Sequence, residues 1–249
     1  MNNRVPVPEQ LNEELANDEI HIWAVSLEQP VSRFQRLLSV DEKIRAERFH
    51  FEEHRKRFIS RRGMLRAILG YYLDVEPERL QFYYGKNGKP ELAGRPDRRK
   101  IHFNLSQSEG LALYALAGNH EVGVDIECVR DVPEMAQIAE RYLSAGEREV
   151  FQALPEPEKK KAFFNWWTRK EAVIKATGDG LSRPLDSFEV SLAPGEPARL
   201  LRMAEESKAA LRWSIDELKP APGYAAAFAV AGHIGRVHCR QWPIPYMAN

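Results

Sequence analysis

The chain has 249 residues, enough for one large domain or two smaller ones, each with its own core. Its 36 Lys and Arg balance its 36 Asp and Glu, so nothing in the overall charge demands a nucleic acid or an anionic membrane, and local clusters must carry any argument about charged partners. No window approaches the roughly 18 apolar residues of a membrane span, Cys128 and Cys239 form no CxxC or zinc spacing, and residues 1–18 lack the apolar core of a signal peptide; a cytoplasmic protein with free thiols is expected.

After an N-terminal extension over 1–18, Glu19-Ile20-His21-Ile22-Trp23 alternates as a strand does. Ser39 and Glu42 have the spacing of a capping box and open a helix. A longer helix follows around Phe58, Leu65 and Ile68. Arg45, Arg48, Arg55, Lys56, Arg57, Arg61, Arg62 and Arg66 crowd this region, with no acid from His54 to Arg66. Such a run is either a solvated helix face or a surface for a polyanion, where arginine suits bidentate phosphate contact. Next come a strand candidate at Leu80-Gln81-Phe82, a tight turn over 85–90, a basic loop over 95–100, the strand Ile101-His102-Phe103-Asn104-Leu105, and the small polar donors Ser106, Gln107 and Ser108. Ala112 to Gly118 closes this half as part of a hairpin.

The second half then repeats the first. Glu121-Val122-Gly123-Val124-Asp125 falls 102 residues after the strand at Glu19, and Ser144 with Glu147 repeats the capping box 105 residues on. The helix around Phe164, Glu171 and Ile174 is offset by 106, the strand Phe188-Glu189-Val190 by 108, and Ala226 to Gly232 by 114. Five matches in one order, with an offset that only grows, predict two copies of a small unit rather than a solenoid. The expected fold is therefore α+β: two similar subdomains related by pseudo-twofold symmetry, over 19–118 and 119–240, followed by a tail over 241–249. Each would be a small, mainly antiparallel sheet packed with helices, with a site in the cleft between them.

The copies differ where chemistry is expected. Asp125 and Glu127 replace Trp23 and Val25, placing two carboxylates on one face of a strand otherwise built of Val122, Val124 and Ile126. They are either an exposed strand edge or ligands of a hard divalent cation; Glu171 would add a third oxygen ligand, a number that suits Mg²⁺. On the helix ending at Thr177-Gly178-Asp179-Gly180, Glu171 and Lys175 are one turn apart, as in an ordinary surface ion pair. Two adjacent tryptophans, Trp166 and Trp167, set that helix apart from a solvated one.

Val122-Gly123-Val124-Asp125-Ile126-Glu127, followed by Trp167-Thr168-Arg169-Lys170-Glu171-Ala172-Val173-Ile174-Lys175, resembles the paired signature of the 4′-phosphopantetheinyl transferases. Phe103-Asn104-Leu105-Ser106 and the internal duplication resemble the larger, pseudo-dimeric Sfp-type class. The resemblance implies an enzyme that moves the phosphopantetheine arm of coenzyme A onto a serine of an apo acyl or peptidyl carrier protein, releasing 3′,5′-adenosine bisphosphate. It implies Mg²⁺, or Mn²⁺, on Asp125, Glu127 and Glu171, with Asp125, Glu171 and Lys175 catalytic and Glu171 as the base. It further implies coenzyme A contacts from Lys43, Arg45, Arg57, Lys89, Ser106, Gln107 and Lys175, and a monomer that binds neither nucleic acid nor membrane. Gln107 departs from the family, which commonly has His there; glutamine donates a neutral hydrogen bond but cannot become a cation. A non-catalytic coenzyme A or carrier-binding module, and a metal-independent acyltransferase, are the competing functions.

Overall fold

Alternating apolar residues set the layers of this molecule. In the structure, a computed structural model that describes residues 15–85, 88–93, 101–203 and 213–242, one sheet has the order β11-β1-β5-β4 and another β6-β10-β9. The first joins β1 (Glu19–Ser26), β4 (Ile101–Ser108), β5 (Leu111–Gly118) and β11 (Arg236–Gln241); the second joins β6 (Val122–Cys128), β9 (Trp213–Leu218) and β10 (Tyr224–Ala231). Trp23, Val25, Tyr114 and Leu116 turn to the helix α3 (Glu52–Leu73), while Ile20, Ile22, Leu113 and Ala115 turn the other way. There they meet Val122, Val124, Ile126 and Phe228 of the second sheet, whose opposite face is covered by α6 (Glu156–Thr177). The order of layers is helix, sheet, sheet, helix, and three apolar clusters fill the spaces.

The duplication is visible element by element. α3 and α6 are both 22 residues long. Each half has a short helix opened by a capping box: α2 (Val40–Glu47) at Ser39 and α5 (Ala145–Ala153) at Ser144. Small hairpins also recur, β2 (Phe82–Tyr84) with β3 (Pro90–Leu92) and β7 (Phe188–Val190) with β8 (Leu200–Met203). The strand expected at Phe188–Val190 forms at those bounds, whereas the one expected at Leu80–Phe82 is displaced to Phe82–Tyr84, after a 3₁₀ turn over Pro77–Arg79. Gly178 ends α6 in the left-handed region at φ 76°, where glycine carries no Cβ penalty.

Two features depart from a simple pair of halves. β11, late in the chain, pairs in parallel with β1, so Arg236 to Gln241 complete the sheet of the first half. Secondly, β4 and β6 lie side by side at the junction of the sheets, joined by side chains: Asn104 Oδ1 accepts the Val124 N–H at 3.0 Å and Ser108 Oγ accepts that of Cys128 at 2.9 Å. Of the expected N-terminal extension only residues 15–18 are described, the basic loop 95–100 lies outside the described residues, and so does all of the tail beyond Trp242. No described helix is long and apolar enough to cross a membrane, and Cys128 and Cys239 are free.

The basic run on α3 is neither a solvated face nor wholly a ligand surface. Arg62 and Arg66 are buried and both bind Glu42, which is itself 2 % exposed. Arg66 Nη1 also donates to the carbonyls of Pro77 at 2.8 Å and Leu80 at 3.0 Å. Burial raises the Glu42 carboxyl, but the hydrogen bonds and charges of Arg66 and Arg62 outweigh it and leave a net lowering. The second half repeats the device with other residues. Glu147 takes a salt bridge of 2.8 Å from Lys170 and a hydrogen bond of 3.1 Å from the Trp166 indole, and Lys170 donates to the carbonyls of Leu185 and Phe188. Each half thus uses the capping-box glutamate of its short helix to anchor its long one.

His21 carries a pH prediction. Its side chain is 0 % exposed, and burial pushes its pKa down from 6.5 to about 4. The unfolded chain takes up this proton at a higher pH than the folded one, so the contribution is complete above 6.5 and is lost as pH falls through 4. Roughly 3 kcal/mol is at stake over this window. In EDTA-treated protein, urea unfolding midpoints should fall from neutral pH towards 4.5, and the slope should be shallower in His21→Gln; equal slopes would show that other groups carry the acid sensitivity.

Candidate active site

The site forms where β4, β6 and α6 converge. Asp125 and Glu127 share with Gly123 the face of β6 that looks towards α6. Gly123 permits that approach: a Cβ there would lie 2.1 Å from the Ala172 carbonyl oxygen and 2.4 Å from the Ala176 nitrogen. The missing side chain lets the helix settle against the strand and sets Glu171 and Lys175 beside Asp125.

Asp125 is 3 % exposed. Its Oδ1 accepts from Lys175 Nζ at 2.6 Å and from Ser106 Oγ at 2.8 Å, while Lys175 Nζ also donates to Ser106 Oγ at 3.0 Å. Lys175 therefore pairs with the strand carboxylate, not with Glu171 one turn away as helical spacing alone predicts. Glu127 accepts from Ser108 Oγ at 3.0 Å. Burial pushes the Asp125 carboxyl up against the opposing pull of Lys175 and Ser106. Burial likewise raises Glu127, with the Asp125 charge adding to it. Glu171 too is raised by burial, opposed by Lys175 and reinforced by Asp125.

A hard cation suits this donor set. Asp125 Oδ2 is buried without a hydrogen-bond partner, and the Asp125 charge raises both Glu127 and Glu171, so positive charge between the three carboxylates is favoured. The carboxylates are not drawn tightly together as placed. Among the described residues, the set of three His, Cys, Asp or Glu ligand atoms within 4.8 Å of one another is Glu19, His21 and His238.

Beside the acids opens a cleft of about 380 Å³. Arg45, Arg61, Tyr84, Lys89 and Asn104 of the first half and Glu171 and Lys175 of the second all line it. Lys89 Nζ donates to the Lys175 carbonyl at 2.9 Å and tethers the hairpin of the first half to the last turn of α6. Arg45 lies over the Phe58 ring at 5.5 Å.

Of the residues expected at coenzyme A, Arg45, Lys89 and Lys175 line this cleft, and Ser106 joins it through Lys175. Lys43, Arg57 and Gln107 lie outside the lining. Lys43 is exposed on α2, and Arg57 Nη2 contacts Glu53 at 2.7 Å and Glu109 at 3.9 Å. Gln107, next to Ser106 on a strand, points to the opposite face, where its Oε1 is buried without a partner. Arg61 was the residue to add: no described residue hydrogen-bonds or pairs with its guanidinium, and burial lowers its pKa. Its helical phase could have revealed it, since Arg61 lies one turn from Phe58, which also lines the cleft.

Residues 22–120 match a sequence model described as 4′-phosphopantetheinyl transferase, N-terminal, and residues 121–229 one described as the 4′-phosphopantetheinyl transferase superfamily. The chain is 44 % identical over 229 residues to the 4′-phosphopantetheinyl transferase HetI of Nostoc sp., an alignment covering 91 % of this chain and 93 % of that protein. It is 30 % identical over 176 residues to the 4′-phosphopantetheinyl transferase Sfp of Bacillus subtilis, covering 69 % and 76 % of the two chains. With the 4′-phosphopantetheinyl transferase psf-1 of Bacillus pumilus it shares 30 % identity over 84 % of this chain and 88 % of that one. Duplicated halves, three carboxylates at their junction and near full-length similarity agree: the chain belongs to the 4′-phosphopantetheinyl transferase family.

Proposed function

We propose that the cleft holds the pyrophosphate and adenosine end of coenzyme A, and that the Asp125, Glu127 and Glu171 carboxylates carry out transfer to an apo carrier protein in the presence of Mg²⁺. The observation that carries this reading is the junction itself. An aspartate 3 % exposed, with one unpartnered oxygen, sits beside a cleft whose wall includes Arg45, Arg61, Lys89 and Lys175. Polyanion binding explains the cations and metal ligation explains the acids; neither explains both. Lys43 and Arg57, at the periphery, are assigned to the outer phosphate or to the carrier, and Gln107 to a supporting role behind Ser106.

In the proposed reaction the carrier serine Oγ bonds to the phosphorus bearing the pantetheine arm. The bridging P–O bond of the pyrophosphate breaks, and 3′,5′-adenosine bisphosphate leaves with the electron pair. Glu171, raised by burial, takes the serine proton. Lys175 moves from Asp125 towards the phosphate oxygens, and Ser106 holds the position of both. A Mg²⁺ ion on the three carboxylates, or Mn²⁺ on the same donors, would neutralise the charge that spreads over the pyrophosphate. The chain acts as a monomer in this scheme, since both halves of the site belong to one polypeptide.

Intact-mass analysis of apo carrier proteins incubated with coenzyme A and Mg²⁺ tests the reading. Gain of one phosphopantetheine with release of 3′,5′-adenosine bisphosphate is expected, and EDTA should stop it. A coenzyme A-binding module would give neither product, and an acyltransferase would leave coenzyme A intact.

Arg61 offers a sharper check. Its guanidinium lines the cleft without a described protein partner, so Arg61→Ala should raise KM for coenzyme A by about tenfold, the worth of one charge-assisted hydrogen bond, with little change in kcat. A fall in kcat at constant KM would place Arg61 at the reacting phosphorus instead.

A further inference from the structure

At the far edge of the first sheet, away from the cleft, three potential ligands converge. Glu19 and His21 lie two apart on β1 and so share a face, and His238 is the register partner of His21 on the parallel neighbour β11. Glu19 Oε2 is 3.7 Å from His21 Nε2, and Glu19 Oε1 is 3.7 Å from His238 Nε2. These separations are too long for hydrogen bonds. They are close to the roughly 3.4 Å between ligand atoms held about 2.1 Å from a tetrahedral ion.

Both imidazole Nε2 atoms are buried and without a hydrogen-bond partner, although they point to one carboxylate. A buried, unpaired ring nitrogen normally costs about 1–3 kcal/mol, and two such atoms at one place ask for a common partner. The rest of the arrangement favours a metal as that partner. His21 Nδ1 is engaged by the Tyr72 hydroxyl at 2.6 Å, and the Trp23 indole donates to the same hydroxyl at 3.1 Å. This outer contact fixes the His21 ring and leaves Nε2 as its ligand atom, as carbonyls and carboxylates do behind metal-bound histidines. The His21 and His238 rings meet edge to face at 5.0 Å, so their nitrogens approach from different directions.

We propose that Glu19, His21 and His238 form a second metal site, for a borderline late transition ion with Zn²⁺ foremost, distinct from the carboxylate cluster of the cleft. Two imidazoles and a carboxylate match the donor preference of such ions and not that of Mg²⁺. His238 is 27 % exposed, which admits the ion and leaves a fourth position for water. Arg236, 3.8 Å from Glu19 and 76 % exposed, is free to swing into solvent as the ion enters, and Arg240 lies over the Trp23 ring at 5.6 Å. The ion would clip β11 to β1.

The test uses untagged, EDTA-treated protein returned to buffer containing excess Mg²⁺, which keeps the cleft carboxylates occupied. Zn²⁺ alone is titrated and bound metal counted by mass spectrometry; Co²⁺ is added separately for its visible spectrum. One retained Zn²⁺ per chain and an intense tetrahedral cobalt spectrum are expected. His238→Ala and Glu19→Gln should each weaken Zn²⁺ binding at least about 100-fold while leaving phosphopantetheine transfer unchanged. Because Glu19→Gln keeps the size of the side chain and one oxygen to accept the Ala16 N–H, it serves if the histidine variant does not fold. Absence of retained Zn²⁺, unchanged affinity in both variants, or loss of the ion in Asp125→Ala instead would each overturn the proposal.

Discussion

Replacing Asp125 by alanine should lower kcat for phosphopantetheine transfer by about a thousandfold, the upper range for removing one group that stabilises developing charge, while the protein remains folded. The two halves of this expectation come from different observations. Loss of activity follows from Asp125 being the point where β4, β6 and α6 meet: its Oδ1 holds both Lys175 and Ser106, and its Oδ2 is the unpartnered oxygen that the proposed cation would take. Retention of the fold follows from Lys175, which is 28 % exposed and can be solvated once its partner is gone. Asp125→Asn is the informative companion. It keeps the shape but loses the charge, and one amide oxygen cannot both accept from Lys175 and serve as an anionic ligand. Both variants should melt near the parent temperature. A parent-like rate in either would remove Asp125 from the metal set, and a collapsed far-ultraviolet spectrum would reassign it as structural.

Lys170→Met should be the most destabilising single change in the α6 motif. The ammonium is 1 % exposed and meets Glu147, also 1 % exposed, at 2.8 Å, so methionine leaves a buried carboxylate facing only an indole and backbone N–H groups. Removing one partner of such a pair costs about 3–5 kcal/mol. For a chain of this size that corresponds to a fall in Tm on the order of 10 °C. Burial already lowers the Lys170 pKa, with Glu147 opposing, so the pair is held together against a desolvation cost. Arg66→Met in the first half should cost less, because Glu42 retains Arg62. The double variant Glu147→Gln with Lys170→Met should recover part of the loss, as coupled neighbours do. Thermal melts of the parent, Lys170→Met, Glu147→Gln and the double variant decide it; strictly additive losses would show that the two groups act independently.

Much of this architecture was legible because the chain states it twice. The capping boxes at Ser39 and Ser144, the glycine stop at Gly178 and the opening strands of both halves depend on local rules of spacing, and these elements form where the spacing puts them. The start of α6 at Glu156 was hidden, since Pro155 and Pro157 read as a break although proline is tolerated in a first helical turn. Long-range choices were less visible. Nothing local to Arg62 or Arg66 reveals that Glu42 will bury them, and a basic run looks the same whether it meets water, phosphate or a hidden acid. Ser106 and Gln107 are adjacent in sequence and look equivalent as donors, yet the two-residue period of a strand sends them to opposite faces. The strand expected from the sequence ends at Leu105; the distinction follows only because the strand runs on to Ser108.

The return of β11 to β1 also bears on how the chain acquires its structure. β1 begins at Glu19 and its parallel neighbour at Arg236, so the first sheet waits for a segment made after nearly all of the second half. During synthesis the first half can pack α3 on β1, β5 and β4, but one side of β1 remains an open edge with unpaired N–H and C=O groups. Such an edge is a template for pairing with the wrong strand, and closing so long a loop is slow relative to local hairpins. β11 is therefore a kinetic latch on β1: nascent chains should gain resistance to proteolysis in two stages, with the edge of β1 protected only after Gln241 has cleared the ribosome.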